Sequence, residues 1–397
     1  MSFATLRDSI RATRDVIYLN TGFTGPSPQP VLERIREVLE REAGVGPASP
    51  DGLKFTRGLA GEAQEEVAGL LNATPEEIIL THGTTEGVHV VIYGMKWQPG
   101  DEMVTCNLEH PALGTPASVI EERYGAVSRR VEISPQASAG EIVESFAGAI
   151  NEKTKLVALS HVQFSCGLKL PIKAIADAAH RQGVPIIVDG AQTGGQLNID
   201  VRALGVDYYS ISGQKWLLGP NGTGALFMNG DSWRNLEPPW TTHAIADARA
   251  VSAETGPPRP AQRFRIASQS PALTAGFTTA IGIMREIGLN AVETYSARLA
   301  DRLRAGVAGI AGCSLTGPVS SDTSCGLASV AVEGWEPSQV VQALWDRWRI
   351  AVRAVAFPPA IRISCAPFNI ESDVDTLLDA LRTIAREKPP EAIPGAH

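Results

Sequence analysis

The chain has 397 residues, 44% of them hydrophobic and 20% charged, with 43 acidic against 35 basic side chains and a net charge of −8. A composition this ordinary, at this length, excludes a disordered, collagenous or coiled-coil protein and leaves room for more than one packed unit. An acidic balance with no Lys/Arg run argues against a nucleic-acid or anionic-membrane partner, while leaving open a local basic pocket for a small anion.

Residues 1–20 hold no apolar core of the secretory kind, and no apolar run reaches bilayer-spanning length. The five cysteines, Cys106, Cys166, Cys313, Cys325 and Cys365, form no CxxC pair, and the seven histidines form no HExxH motif. These features predict a soluble cytoplasmic protein in a reducing compartment, with no disulfide framework and no structural metal.

Along the chain, Val31, Leu32, Ile35, Val38 and Leu39 share one helical face, and a second helix is predicted over 58–71 with Thr74–Glu77 opening the next turn. Short apolar runs then alternate with helical spacing. Strands are predicted at 78–80, 103–106, 127–133, 156–160, 185–188 and 206–211, and helices at 85–96, 112–124, 139–150 and 171–183. The strands are continuous apolar runs, as a sheet covered on both faces requires. The alternation predicts an α/β chain with a doubly wound, mostly parallel sheet. Residues 231–262, rich in Pro, Trp and Thr, read as a long irregular segment of the functional kind. Residues 271–310 read as helical. A smaller α/β unit follows, with strands at 327–332, 349–354 and 361–364 and helices at 337–346 and 371–386.

Two segments carry chemistry. Ile186-Ile187-Val188-Asp189-Gly190-Ala191-Gln192 delivers a carboxylate to the carboxyl end of a strand, where ligands of such sheets bind. On that evidence alone, a helix cap is as good a role for Asp189 as a ligand contact. Ser212-Gly213-Gln214-Lys215-Trp216-Leu217-Leu218-Gly219 then places a lysine between an apolar strand and a Gly-rich turn. Apolar flanks desolvate the amine and lower its pKa, which makes it a usable nucleophile or base. A Schiff-base lysine with an aspartate for a pyridinium nitrogen is the pair that pyridoxal phosphate (PLP) needs.

Asp189-Gly190-Ala191-Gln192, Ser212-x-Gln214-Lys215-Trp216 and Gly219-Pro220-x-Gly222-x-Gly224 together resemble the class V aminotransferase family of fold type I PLP enzymes. The resemblance runs from about Tyr18 to Asp375 and is nearest the cysteine/cystine C–S lyase branch of a family that also holds cysteine desulfurases and isopenicillin N epimerase. It implies a large PLP-binding domain over 18–265, and a small C-terminal domain over 266–397 joined by residues 1–17. It also implies a homodimer with shared sites.

By the same resemblance, Lys215 holds PLP and shuttles the Cα proton. Asp189 keeps the pyridine nitrogen protonated, Gln192 hydrogen-bonds the phenolic oxygen, and His110 stacks on the ring as a second catalytic residue. Thr84 and Thr85 in Thr81-His82-Gly83-Thr84-Thr85-Glu86-Gly87, with Ser212 and Gln214, are expected to hold the phosphate. Gln214 stands where the family usually has His, and Gln cannot become cationic. Ser268 replaces the usual Thr in a segment, Arg263 to Ser268, that reaches the partner subunit's phosphate. Arg362, with Arg353 as runner-up, is assigned to the substrate carboxylate. Asn20, Gly22 and Phe164 are expected to touch substrate, and Trp240 and His243 to line its side-chain pocket.

Cysteine desulfurases carry a nucleophilic Cys shortly before the C-terminal Arg, and residues 353–360 contain none. Phe164 also replaces a desulfurase Asn with the aromatic typical of C–S lyases. Cys365 reads as a buried thiol, whereas Cys166 lies in a loop that approaches PLP in relatives. The expectation is a PLP-dependent C–S lyase acting by β-elimination on cysteine, cystine or an S-conjugate, to give pyruvate, ammonia and a sulfur product. Cysteine desulfurase, aminotransferase, epimerase and non-catalytic PLP-binding protein stand as the alternatives.

Overall fold

The computed structural model describes residues 1–240, 263–266 and 268–390. The chain opens with α1 (Phe3–Asp8) and β1 (Ile17–Tyr18), then α2 (Gln29–Val45) and α3 (Pro50–Leu71). α3 starts well before residue 58. The hydroxyl of Ser49 accepts the Gly52 N–H at 3.0 Å, and Pro50 in the first turn has no N–H to satisfy. Thr74–Glu77 does not open a long helix; it makes a single 3₁₀ turn, Pro75–Glu77.

Seven strands form the large sheet: β2 (Ile78–Thr81), β3 (Glu102–Cys106), β4 (Val127–Val131), β5 (Thr154–Ser160), β6 (Ile186–Asp189), β7 (Tyr208–Ser212) and β8 (Gly224–Met228). Their order is β2-β8-β7-β6-β5-β3-β4. All pairings are parallel except the two made by β8, which runs antiparallel to β2 and β7. β8 was not anticipated, because its apolar run follows the Gly-rich turn so closely that it reads as part of it. α4 (Thr84–Gly94), α5 (Pro111–Tyr124), α6 (Ala139–Ala149), α7 (Ile172–His180) and the short α8 (Val201–Leu204) lie between the strands. β2, β3, β6, β7 and β8 are buried along their whole length, as their uninterrupted apolar runs require. β4 at the sheet edge is largely exposed and carries Arg129, which forks onto Glu102 at 2.7 and 2.9 Å.

The helical stretch predicted at 271–310 is two helices, α9 (Pro271–Ile287) and α10 (Leu289–Ala308), broken at Gly288, whose φ is 94°. Next come β9 (Cys313–Leu315), β10 (Leu327–Val332), α11 (Pro337–Trp348), β11 (Ile350–Ala351), β12 (Arg353–Ala356), β13 (Pro359–Ser364) and α12 (Glu371–Ile384). The strand predicted at 349–354 is divided between two sheets. β11 pairs with β1, whereas β12 joins the antiparallel sheet β12-β13-β10-β9. A separate apolar core, including Leu19, Leu303, Val330, Ile361 and Leu377, sits under this smaller sheet. No helix among the described residues is long and apolar enough to cross a membrane.

Candidate active site

The carboxyl ends of β5, β6 and β7 fall together because their register pairs Ser160 with Asp189 and Asp189 with Ser210. Asp189 closes β6, and its Oδ1 accepts the Ala191 N–H at 2.8 Å. Burial raises its carboxyl pKa, against the pull of Lys215 and that N–H. Lys215 lies three residues beyond β7. Burial pushes its amine down to about 8; Asp189 raises it and Arg362 lowers it further. The next turn is tight: Leu218 N–H donates to Lys215 O at 3.0 Å, and Leu218 is held at φ 61°. A left-handed leucine costs on the order of 1 kcal/mol, and local strain of this kind clusters at functional sites.

Lys215 and Asp189 line a cavity of about 280 Å³ together with His110, Thr84, Thr85, Ser212 and Gln214. Thr84 Oγ1, Ser212 Oγ and Gln214 Oε1 are buried there without a protein partner. Thr84 and Thr85 open α4, whose free backbone N–H groups favour an anion. Gly224 lets this wall close up, since a Cβ there would lie 2.8 Å from Gly83 Cα and 2.5 Å from Ile211 O.

His110 caps α5: its Nδ1 accepts the Ala112 N–H at 3.1 Å, which places the ring proton on Nε2. Burial, then the charges of Lys215, Arg362 and Arg353, push its pKa down to about 4, so the ring is neutral at physiological pH. The Phe164 ring meets it edge-on at 4.9 Å.

Arg362 comes from β13 and is 2% exposed. Its Nη1 donates to the Phe164 carbonyl at 2.9 Å, while Nε and Nη2 are buried with no partner. Burial and Arg353 lower its pKa to about 10, so it stays charged. A buried guanidinium with two free donors is a fork for a carboxylate. Gly22 packs beside it, its N–H donating to Ser364 Oγ at 3.0 Å, and Asn20 Oδ1 is a further buried atom without a partner. Arg353 stands outside, its guanidinium 3.9 Å above the Phe23 ring.

Other residues lie outside the cavity lining. Ser268, expected at the partner subunit's phosphate, is exposed, and its carbonyl lies 3.2 Å from His82 Nε2. Trp240 packs against the apolar cluster that includes Tyr208, Leu226 and Leu236. His243 lies outside the described residues. Cys166 faces the core, and burial raises its thiol to about 11. Sequence reasoning missed Glu109, a half-buried residue whose carboxylate accepts from Ser160 N–H, Ser160 Oγ and Gln163 Nε2. It ties β5 and the Phe164 loop to the loop that carries His110. The only signal was a carboxylate directly before that histidine.

The residues fit one kind of ligand. An aldehyde would meet a buried amine, a ring nitrogen a buried carboxylate, and a phosphate the Thr84 and Ser212 hydroxyls left without partners. The class defined is therefore an α/β enzyme built around a phosphorylated aldehyde cofactor. The aminotransferase class-V family model matches residues 17–377, and the chain belongs to that family, whose members use PLP. It is 30% identical to a probable cysteine desulfurase from Methanothermobacter thermautotrophicus, over 96% of this chain and 97% of that one. A probable cysteine desulfurase from Mycolicibacterium paratuberculosis is also 30% identical over 96% of this chain, which spans only 57% of that relative's length. Among solved structures, the cystine C–S lyase C-DES, in complex with its reaction product cysteine persulfide, has a TM-score of 0.86 at 27% identity, covering 94% of this chain and 98% of that one.

Proposed function

We propose that this enzyme is a PLP-dependent C–S lyase that eliminates sulfur from the Cβ of a cysteine-derived amino acid, releasing pyruvate, ammonia and a sulfur product. The observation that carries this reading is the state of the thiols. Cys106, Cys166, Cys325 and Cys365 are buried, Cys313 is half-buried, and none lines the cavity. Burial raises all five thiol pKa values, which removes the thiolate that a persulfide-forming mechanism requires. The hairpin from β12 to β13, where desulfurases place their nucleophile, turns tightly through Phe357 and Pro358. Sulfur must then depart as its own leaving group.

PLP, when bound, supplies an electron sink for charge developing at the substrate's Cα. Asp189 holds a proton at the pyridine nitrogen. Arg362 Nε and Nη2 bind the α-carboxylate, and the Phe164 carbonyl keeps that fork oriented. Lys215, its pKa lowered by burial, takes the Cα proton in its neutral form, which makes up a larger fraction than in an ordinary lysine. The neutral His110, on the cavity wall, would offer the cofactor an uncharged ring. Arg353 at the mouth suits a second anionic group, such as the distal carboxylate of cystine.

The test is a panel of cysteine, cystine and S-substituted cysteines with products identified by mass spectrometry. Pyruvate and ammonia are expected. Alanine with enzyme-bound persulfide would make the chain a desulfurase, and build-up of pyridoxamine phosphate would make it an aminotransferase. Lys215→Ala should abolish both the product and the borohydride-trapped adduct.

A further inference from the structure

We propose that Trp216 is a positioning residue that fixes the amide of Gln192, the residue the family resemblance assigns to the cofactor's phenolic oxygen; the proposal rests on the PLP reading above. Trp216 directly follows the lysine and is fully buried. Its Nε1–H donates to Gln192 Oε1 at 2.9 Å. At the other end of the same amide, Gln192 Nε2 donates to the Gly22 carbonyl at 2.8 Å.

An indole nitrogen can only donate and a carbonyl can only accept, so both partners demand the same amide orientation. Rotating the amide half a turn would set oxygen against oxygen at Gly22 and N–H against N–H at Trp216. One N–H of Nε2 remains unspent. Gln192 therefore offers the site a donor, never an acceptor, and a donor is what an anionic phenolic oxygen requires.

The surroundings hold Trp216 in place. Gly195, at φ 87°, presses on its backbone so closely that a Cβ would lie 2.6 Å from Trp216 O. The chain of bonds continues from the Gly22 N–H to Ser364 Oγ, two residues past Arg362. Gly22 permits this approach, because a Cβ there would lie 2.8 Å from Gln192 Oε1 and 3.0 Å from Ser364 Oγ. A line of buried hydrogen bonds thus runs from the neighbour of Lys215 to the neighbourhood of Arg362. Trp216 is the end of it to which the motif reading gave no role.

A donor at the phenolic oxygen favours its anionic form, so losing the donor raises the pH midpoint of the PLP-loaded protein's visible colour change. Trp216→Phe should raise that midpoint by roughly half to one pH unit, the equivalent of about one hydrogen bond. Gln192→Met should raise it at least as far, and Trp216→Phe should add nothing to Gln192→Met. If the Phe variant does not fold, benzothienylalanine at position 216 replaces the N–H with sulfur at nearly constant shape and should give the same shift. A second arm needs no PLP. The indole N–H resonance of Trp216, identified by its loss in Trp216→Phe, should move upfield and exchange faster in Gln192→Met. An unchanged midpoint in a folded, coloured Trp216 variant overturns the proposal. So does a full shift when Gln192 is already replaced, or an indole signal indifferent to Gln192→Met. Wild-type protein that takes up no PLP overturns the cofactor reading instead, and the indole arm tells the two failures apart.

Discussion

Arg362 shows how far one side chain can be read. Its fork is buried with two donors unspent, so a replacement must supply both charge and planarity. Arg362→Lys keeps the charge but not the paired geometry. Losing a charge-assisted bidentate contact is worth about 1.5–3 kcal/mol, so the KM for an amino-acid substrate should rise roughly 10- to 150-fold in steady-state assays, with PLP uptake unchanged. His110 gives a pH prediction. Its folded pKa of about 4 lies below the ordinary 6.5, so the fold disfavours the charged ring. The native state therefore has its full stability from this group above pH 6.5 and loses it as pH falls towards 4. His110→Asn keeps a helix cap and removes the titration. Its melting temperature should fall less than that of the wild type between pH 6.5 and 4. At this scale the sequence was most informative where residue type and chemistry coincide, as at Lys215, Asp189 and Arg362. It was silent on the Gln192–Trp216 bond, which joins residues from two different loops.

At the scale of elements, the strand–helix alternation was readable because each buried strand is an unbroken apolar run. What escaped were boundaries set by local chemistry. The Ser49 cap lengthens α3, Gly288 splits one helical stretch into two, and β8 is hidden behind the turn that feeds it. The contact of α4 with the sheet matters most for function, since α4 presents Thr84 and Thr85 to the cavity. That contact depends on Gly87, where a Cβ would lie 2.2 Å from Ser210 Oγ and 3.0 Å from Ser210 Cβ. Gly87→Ala should push the helix off β7 and shift its N-terminus. Overpacking of this kind costs roughly 1–3 kcal/mol. The variant should melt earlier and bind PLP more weakly in a fluorescence titration. Gly83→Ala differs in kind: nothing lies within 4 Å of its Cβ, although its φ of 158° is unusual.

At the scale of the whole molecule, the homodimer with shared sites that the family resemblance implies is a prediction, and sedimentation velocity should then give twice the 42.1 kDa chain mass. Within one chain, the two ends of the sequence meet. Arg7 in α1 forks onto Asp373 in α12 at 2.8 and 3.2 Å and also donates to the Phe368 carbonyl at 2.9 Å. Asp373 is 3% exposed and accepts further bonds from Asn369 Nδ2 and the Ile370 N–H, each at 3.2 Å. Asn369 in turn donates to the Tyr18 carbonyl at 3.1 Å, at the start of the segment that carries Asn20 and Gly22. The sequence did not announce the pairing of Asp373 with Arg7, because it spans more than 360 positions. Arg7→Ala should leave a buried carboxylate without its cation and cost about 2–3 kcal/mol. If the charge is the cause, Asp373→Asn placed on Arg7→Ala should recover most of that loss, because the amide needs no counter-ion. If the cost is lost packing alone, the double variant should be no more stable than Arg7→Ala. Chemical denaturation of the four proteins separates these outcomes. The KM of Arg7→Ala should also rise, because the released Asn369 no longer holds the strand leading into Asn20.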